Sequence, residues 1–168
     1  MFQLPILTSR LNLHPLRPED EAAAVDILRS DRVTPTYMLP DLDEAGAKSL
    51  YTRFLRITGQ EDRLLMGIYL KERLIGWLND TEISGDSIEL GWVIHPDFWG
   101  NGYATEAVSA MLKALHQRGF RCILAGAFSQ NTASLRVMQK AGMTLQEKTE
   151  DLEYRGSVHH CIFYASIQ

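Results

Sequence analysis

The sequence has little of what marks secreted, membrane-spanning or metal-binding proteins. It contains two cysteines, Cys122 and Cys161, each inside an apolar run and without the paired spacing of a zinc or redox motif. Buried, reduced thiols are the favoured interpretation. No run of about 18 apolar residues occurs, and residues 1–5 lack the basic start and apolar stretch of a secretory signal. These absences predict a cytoplasmic protein without a membrane segment.

Length and charge narrow the class further. The chain has 168 residues, of which 45% are hydrophobic, enough for one sizeable core and too few for two ordinary domains. We therefore predict a single domain over residues 1–168. The formal net charge of -4 and the pI near 5.7 argue against a protein that binds nucleic acid, which usually carries a basic stripe. A cationic substrate is compatible with this charge.

Segments with helical spacing of apolar residues alternate along the chain with segments typical of strands. Apolar residues at helical spacing predict helices over residues 18–30, 43–57, 103–119 and 131–141. Alternating or short apolar runs between turn residues predict strands over 10–14, 64–70, 74–79, 87–95, 121–128, 145–154 and 157–166. This order predicts an α/β (α+β) fold, with a central mixed, mostly antiparallel twisted sheet of about seven strands flanked by about four helices.

A turn with two glycines leads directly into the strongest predicted helix. Its sequence over residues 98–105 is FWGNGYAT, and the helix begins near Tyr103. Glycine lets the backbone approach a ligand closely, and the first-turn N–H groups of a helix are unpaired and lie at its positive end. A pyrophosphate fits such a turn. Gly100 and Gly102 are also explained by a tight turn alone. A dinucleotide-binding fingerprint fits worse, because Thr105 takes its third small position and no βαβ unit precedes it.

Three segments, in order and well separated, carry a family resemblance. They are TSRLNL with LRPED (residues 8–13 and 16–20), WGNGYATEA (99–107) and NTASLRVMQKAGM (131–143). Together they resemble the GCN5-related N-acetyltransferases (the GNAT superfamily), in particular the RimJ/RimL-type ribosomal-protein-alanine acetyltransferase branch. The resemblance implies transfer of an acetyl group from acetyl-CoA, used as a cosubstrate, to a primary amine such as a protein N-terminus or a small molecule.

The resemblance also implies where the cosubstrate binds. In the family, the strand before the loop splays from its neighbour and the pantetheine arm lies in the gap, as in strand addition. By position, Val93 and Ile94 would meet pantetheine and Asn131 would bond the same arm. The backbone of the loop would hold the pyrophosphate, through Trp99, Gly100, Asn101, Gly102, Tyr103, Ala104 and Thr105. A backbone N–H near Trp92 or Val93 would face the thioester oxygen, where a donor stabilises developing charge.

Two positions depart from the family pattern. Trp99 stands where the loop often begins with Gln or Arg, so phosphate binding would rest on backbone donors. Met138 stands where many members carry a tyrosine general acid, and a thioether cannot donate a proton. Ser134, three residues after Asn131, is the best-placed substitute donor and in this branch a serine there is associated with that role. A helix-surface hydroxyl that only touches the cofactor is the alternative.

The sequence also leaves the identity of the general base open. Glu89 lies on the strand expected to flank the thioester, where a half-buried carboxylate of raised pKa could accept the amine proton. A solvated strand-face acid is the alternative. His95, beside Pro96, suits a capping or turn role better than catalysis, and Asn131 is well placed to N-cap its helix.

Other candidates are weaker. Adjacent strand residues such as His159 and His160 point to opposite faces, so we expect no metal site. Candidates for the walls of the acceptor pocket are Tyr37, Met38, Tyr154 and His159. The sequence is compatible with both a monomer and a homodimer. Loss of the usual tyrosine at Met138 favours the alternative function, a non-catalytic acyl-CoA-binding sensor or scaffold module.

Overall fold

The computed structural model describes residues 5–168, which contain eight strands and four α-helices. Residues 1–4, most of the segment expected to lack a secretory signal, lie outside the described residues. The elements are β1 (Ile6–Leu7), β2 (Leu11–His14), α1 (Glu21–Leu28), α2 (Glu44–Ile57), β3 (Leu65–Leu70), β4 (Arg73–Ser84), β5 (Ser87–Ile94), α3 (Tyr103–Gln117), β6 (Cys122–Phe128), α4 (Thr132–Lys140), β7 (Thr144–Tyr154) and β8 (Ser157–Ile167). None of the helices in this part of the chain is long and apolar enough to cross a membrane.

The strands form a mixed sheet in the order β1-β2-β3-β4-β5-β6-β8-β7. The pair β5–β6 is parallel, whereas β1–β2, β2–β3, β3–β4, β6–β8 and β7–β8 are antiparallel. The predicted mixed, mostly antiparallel sheet is confirmed, with eight strands instead of about seven. The additional strand, β1, pairs Ile6 with Leu13 and Leu7 with Asn12. Two residues are too few to show an alternating pattern in the sequence.

The described residues divide into two compact units, and the first comprises residues 5–79 and 92–107. Its core lies between α1, α2 and the strands β3 and β4, and it includes fully buried Tyr51, Tyr69 and Trp77. The helix α2 begins at Glu44, one residue after the predicted start, and the Asp43 side chain caps it by accepting a hydrogen bond from the Gly46 N–H at 2.7 Å. The ring of Phe54 on α2 packs edge-on against Trp77.

The second unit comprises residues 80–91 and 108–168. In it, Phe128, Cys161 and Phe163 form a smaller buried cluster covered by Leu152 and Tyr154. Cys161 is buried, as expected for a core thiol. Cys122 is only half-buried, and both cysteines are free.

The predicted bounds differ most from the structure in two elements. The sequence predicts that strand β4 ends at Asn79, but it continues to Ser84, with an exposed tail over residues 81–84 that is polar except for Ile83. Backbone pairing in a hairpin needs no apolar side chain, so hydrophobic patterning underestimates such a strand. The first predicted helix begins as a 3-10 turn, Pro18–Asp20, and α1 itself ends at Leu28 instead of Ser30.

Candidate active site

The glycine loop between β5 and α3 adopts the open conformation that its sequence predicts. Gly100 and Gly102 have φ values of 76° and 79°, in the left-handed region that favours glycine. A Cβ at Gly100 would meet nothing within 4 Å, and one at Gly102 would lie 3.5 Å from the Arg10 guanidinium. The outer side of the loop backbone is therefore accessible to a ligand.

The helix α3 begins with its first amides unpaired within the helix. The Glu106 N–H donates to the Gly102 carbonyl at 3.0 Å, so Gly102 is the N-cap residue. The N–H groups of Tyr103, Ala104 and Thr105 precede this first intrahelical bond. Glycine has no side chain with which to cap them. These amides and the positive end of the helix dipole form a site suited to an anion.

Side chains of the loop are used to hold the loop itself. Trp99 is 45% exposed, and its indole N–H donates to the Ile94 carbonyl at 2.7 Å. The Asn101 amide donates to the carbonyls of Phe98, at 3.2 Å, and Trp99, at 3.0 Å. Since these donors are already engaged, an anion at the loop would meet backbone N–H groups, as the departure at Trp99 suggested.

The end of β5 shows which of its backbone groups face β4. The His95 N–H donates to the Ile75 carbonyl at 2.8 Å, and a Cβ at Gly76 would lie 2.1 Å from the Val93 carbonyl oxygen. Alternate residues of a strand direct their backbone groups to opposite edges. Val93 therefore faces β4, while Trp92 and Ile94 direct their N–H and C=O groups to the other edge. Of the two amides suggested for the thioester oxygen, this favours Trp92.

The parallel pairing of β5 with β6 is short. It runs from Ser87 opposite Cys122 to Glu89 opposite Leu124. Both strands continue beyond this stretch, β5 to Ile94 and β6 to Phe128. The ladder therefore joins the first three residues of each strand.

The candidate base Glu89 lies in the second unit beside a lysine. Its side chain is 22% exposed, and its Oε2 is 4.0 Å from Lys148 Nζ. Lys148 is also 3.2 Å from Glu150 Oε1 and lies 4.1 Å from the centre of the Phe163 ring. Sequence reasoning missed Lys148, because the pairing register of β7 with β8 cannot be read from the sequence.

The start of α4 brings Asn131 and Ser134 together. Asn131 Oδ1 accepts from the Ser134 N–H at 3.2 Å, which confirms the predicted N-cap. Asn131 Nδ2 donates to Ser134 Oγ at 3.0 Å, so the serine hydroxyl keeps its own hydrogen for another acceptor. Met138, at the position of the usual tyrosine, is fully buried.

Sequence reasoning also missed the pairing of Arg10 with Glu106. The two side chains form an ion pair of 2.7 Å, and Glu106 accepts further hydrogen bonds from Thr8 and Ser9. Partial burial acts to raise the pKa of Glu106, but the hydrogen bonds from Thr8 and Arg10 outweigh it and lower the pKa to about 2. Both residues lie in the family-like segments, yet 96 positions separate them and no local signal links them.

The remaining histidines have structural partners. His95 Nδ1 accepts from the Asp97 N–H at 3.1 Å, which confirms its turn role, and its Nε2 is 2.8 Å from Asp26 Oδ2. His159 stacks on Phe128, and His160 is 2.8 Å from Asp151. Within residues 5–168 there is no group of three or more His, Cys, Asp or Glu side chains placed to hold a metal ion.

The side chains suggested as walls of the acceptor pocket differ in exposure. The Tyr37 hydroxyl donates to Asn79 and accepts from the Trp77 indole, both at 2.9 Å. Burial raises the pKa of Tyr37 to about 12, so the hydroxyl stays protonated at neutral pH. Met38, by contrast, is 47% exposed.

Comparison with known proteins identifies the family. The family described as acetyltransferase (GNAT) domain matches residues 10–144. The uncharacterised N-acetyltransferase YoaA of Bacillus subtilis (strain 168) is 29% identical over 145 residues, which cover 82% of each chain.

Solved structures agree on the fold. An acetyltransferase of the GNAT family from Bacillus anthracis superposes with a TM-score of 0.85 at 23% identity, over 98% of each chain. RimL, a ribosomal L7/L12 alpha-N-protein acetyltransferase in complex with coenzyme A, superposes with a TM-score of 0.86 at 17% identity, again over 98% of each chain. Because the family match spans most of the sequence and includes the glycine loop and the start of α4, the chain belongs to the GNAT acetyltransferases, which use acetyl-CoA as the acetyl donor.

Proposed function

We propose that residues 1–168 act as one acetyltransferase domain that moves an acetyl group from acetyl-CoA to a primary amine by direct attack in a ternary complex. The observation that carries this is the start of α3, where two left-handed glycines leave the first-turn amides open. The N-cap residue Gly102 has no side chain with which to cap them. An anionic group such as a diphosphate supplies the acceptors that these amides need.

The loop is proposed to hold the diphosphate through backbone N–H groups of residues 99–105. This is supported by the engagement of the Trp99 and Asn101 side chains within the loop. The edge of β5 opposite β4 is proposed to receive the pantetheine arm near Val93 and Ile94, with Asn131 as a further partner. The Ile94 carbonyl accepts one hydrogen bond from the Trp99 indole, and its second lone pair can accept another from the arm.

The proposed chemistry assigns one proton acceptor and one proton donor. Glu89 accepts a proton from the attacking ammonium, directly or through water, so that the neutral amine can attack the thioester carbon. The backbone N–H of Trp92 stabilises the negative oxygen of the tetrahedral intermediate. Ser134 donates its hydroxyl proton to the departing thiolate as the C–S bond breaks, and it regains a proton, directly or through water, from the nitrogen of the intermediate, which thereby becomes the neutral amide nitrogen. The products are an amide and the free thiol, and no covalent enzyme intermediate forms.

A protein N-terminus is one acceptor class that we propose, and a small-molecule amine is the other. The fold likeness to RimL, which acts on the α-amino group of a ribosomal protein, supports the first. That likeness, at 17% identity, extends to the fold, so the acceptor is a matter for experiment.

The proposal is tested by calorimetric titration with coenzyme A and by thiol release from acetyl-CoA. The amine panel contains peptides with free N-termini, the same peptides with blocked N-termini, a polyamine and single amino acids. Amine-dependent thiol release with intersecting initial-rate lines supports direct transfer, whereas parallel lines contradict it. Coenzyme binding with no release for any amine contradicts catalysis and favours the sensor function, to which the buried Met138 points.

The base is tested with Glu89→Gln. We expect kcat to fall by about 100-fold, the usual lower range for loss of a general base, with little change in coenzyme affinity. Glu82→Gln is the matched control, because Glu82 is an exposed acid on the neighbouring strand β4. A Glu89→Gln enzyme with wild-type kcat across the pH range removes Glu89 from the mechanism.

A further inference from the structure

One carboxylate near the glycine loop receives an unusual number of hydrogen bonds from a distant segment. Glu106 lies in the first turn of α3, and its donors all come from residues 8–10. Its Oε1 accepts from Thr8 Oγ1 at 2.6 Å, Ser9 Oγ at 3.0 Å and the Arg10 backbone N–H at 2.9 Å, and its Oε2 accepts from Arg10 Nε and Nη2, both at 2.7 Å. Both guanidinium bonds end on the single oxygen Oε2, and because both partners are charged, these bonds are stronger than bonds between neutral groups.

The same arginine also contacts the loop. Arg10 Nη1 donates to the Asn101 carbonyl at 2.9 Å. Its guanidinium carbon lies 4.6 Å from the centre of the Tyr103 ring, and Nη2 is 3.5 Å from the position of a Cβ on Gly102. Arg10 therefore joins the loop, the first residue of α3 and Glu106 through a single side chain.

The charges near the start of α3 favour binding of an anion only while the ion pair between Arg10 and Glu106 is intact. A carboxylate in the first turn of a helix repels a second anion bound at the same helix end. Arg10 neutralises that carboxylate, and the arginine side chain is still 44% exposed beside the loop, compared with 15% for Glu106. The net effect on an incoming diphosphate is therefore not repulsive.

We propose that Arg10 is a positioning residue for the diphosphate of the coenzyme: by bridging Glu106 and the Asn101 carbonyl, it holds the glycine loop in the shape that presents its amides. This inference rests on the proposed function of the loop. It assigns Arg10 to binding of the nucleotide end of acetyl-CoA and gives it no part in the chemistry at the thioester.

The test compares two acetyl donors that differ only in the nucleotide end. S-acetylpantetheine carries the same thioester and arm as acetyl-CoA but lacks the diphosphate. For Arg10→Gln we expect the KM for acetyl-CoA and the Kd for coenzyme A to rise at least about 10-fold, with kcat at saturation within about twofold. With S-acetylpantetheine, kcat/KM is expected to stay within about twofold of wild type.

Arg10→Lys and Arg17→Gln complete the design. Lysine keeps the charge but cannot form the fork that reaches Glu106 and Asn101 together, so an intermediate KM is expected. Arg17 is the matched control: it also pairs with one acid, Glu72 at 3.0 Å, and lies over an aromatic ring, Tyr69, without contacting the loop. Its variant is expected to keep the wild-type KM. If Arg10→Gln fails to fold by circular dichroism, Arg10→Lys carries the same comparison of the two donors.

Three results would overturn the inference about Arg10. The first is an unchanged KM for acetyl-CoA in Arg10→Gln. The second is an equal fall in its kcat/KM with both donors, and the third is an equal rise in KM in Arg17→Gln. The second result would mean a general structural role. Failure of the proposed function is distinguishable, because wild-type protein would then show no coenzyme A binding in the titration.

Discussion

The helices α3 and α4 differ in what pairs with the N–H groups of their first turns. Every helix begins with N–H groups that have no intrahelical acceptor. At α4, Asn131 supplies an acceptor locally and bonds the Ser134 N–H. At α3, the N-cap residue is Gly102, which has no side chain, and the polar side chains nearby are bonded to one another or to loop carbonyls. The cap of α4 is therefore local, whereas the first-turn amides of α3 are the ones proposed to bind a ligand.

The two starts also differ in how they are held. The cap at α4 is made within four residues, so it forms wherever the helix forms. The loop before α3 is held from residues 8–10 through Glu106. We therefore expect changes at α3 to affect coenzyme affinity most, and changes at α4 to affect local stability and the proposed proton donor.

The largest expected effect is at Gly102. In Gly102→Glu, the new side chain is strained at φ 79° and places a negative charge where the diphosphate is proposed to bind. We expect coenzyme A affinity to fall by at least about 100-fold, roughly 3 kcal/mol, in a calorimetric titration. Gly142→Glu is the control, with a φ of 82°, the same added charge and open space around it. Unchanged affinity in Gly102→Glu would refute the loop as the binding site.

The next effect concerns stability and pH. Glu106 has a folded-state pKa of about 2 against an ordinary value of 4.5, so its contribution to stability is complete above pH 4.5 and is lost as the pH falls towards 2. Loss of its charge-assisted bonds in Glu106→Gln is expected to lower Tm by roughly 5–10 °C at pH 7. The deficit should shrink below pH 4.5.

The control for this pH dependence is an exposed acid. Glu44 pairs with Lys48 at 2.6 Å on the surface of α2, where solvent screens the pair, so Glu44→Gln is expected to change Tm far less. A Glu106→Gln deficit that stays constant between pH 7 and pH 3 would contradict the assignment of the low pKa.

A smaller effect is expected at Ser134. Removal of the hydroxyl in Ser134→Ala leaves the backbone N–H that Asn131 bonds, so the cap persists. We expect kcat to fall about 10-fold with KM for acetyl-CoA unchanged, which steady-state kinetics would detect. Ser109→Ala, an exposed serine on α3, is the control. Wild-type kcat in Ser134→Ala would leave the thiolate to be protonated by water.

The smallest effect separates the two bonds made by Asn131. Asn131→Ala loses the cap and is expected to cost about 1 kcal/mol, or roughly 2–4 °C in Tm. Asn131→Asp keeps the capping oxygen but loses the donor to Ser134 Oγ, so Tm should be nearly unchanged while kcat falls a few-fold. Equal Tm losses in both variants, by differential scanning calorimetry, would show that the cap does not explain the stability of α4.

Caps and turns formed by neighbouring residues could be predicted from the sequence, whereas contacts between residues far apart in the chain could not. The loop glycines, the Asn131 cap and the turn role of His95 were all predicted, because each depends on a few adjacent residues. The contact of Arg10 with Glu106 and that of Lys148 with Glu89 were not, since they depend on tertiary packing and strand register. The tail of β4 was missed because backbone pairing leaves no hydrophobic pattern.

The tether from residues 8–10 to Glu106 has a consequence for the order of folding. The turns of α3 can form early from neighbouring residues, but a contact across 96 positions closes late, since the entropy of a long loop must be lost first. We therefore expect the loop shape that is proposed to bind the diphosphate to be among the last features to appear, so that coenzyme binding during refolding would report arrival at the native state instead of helix formation.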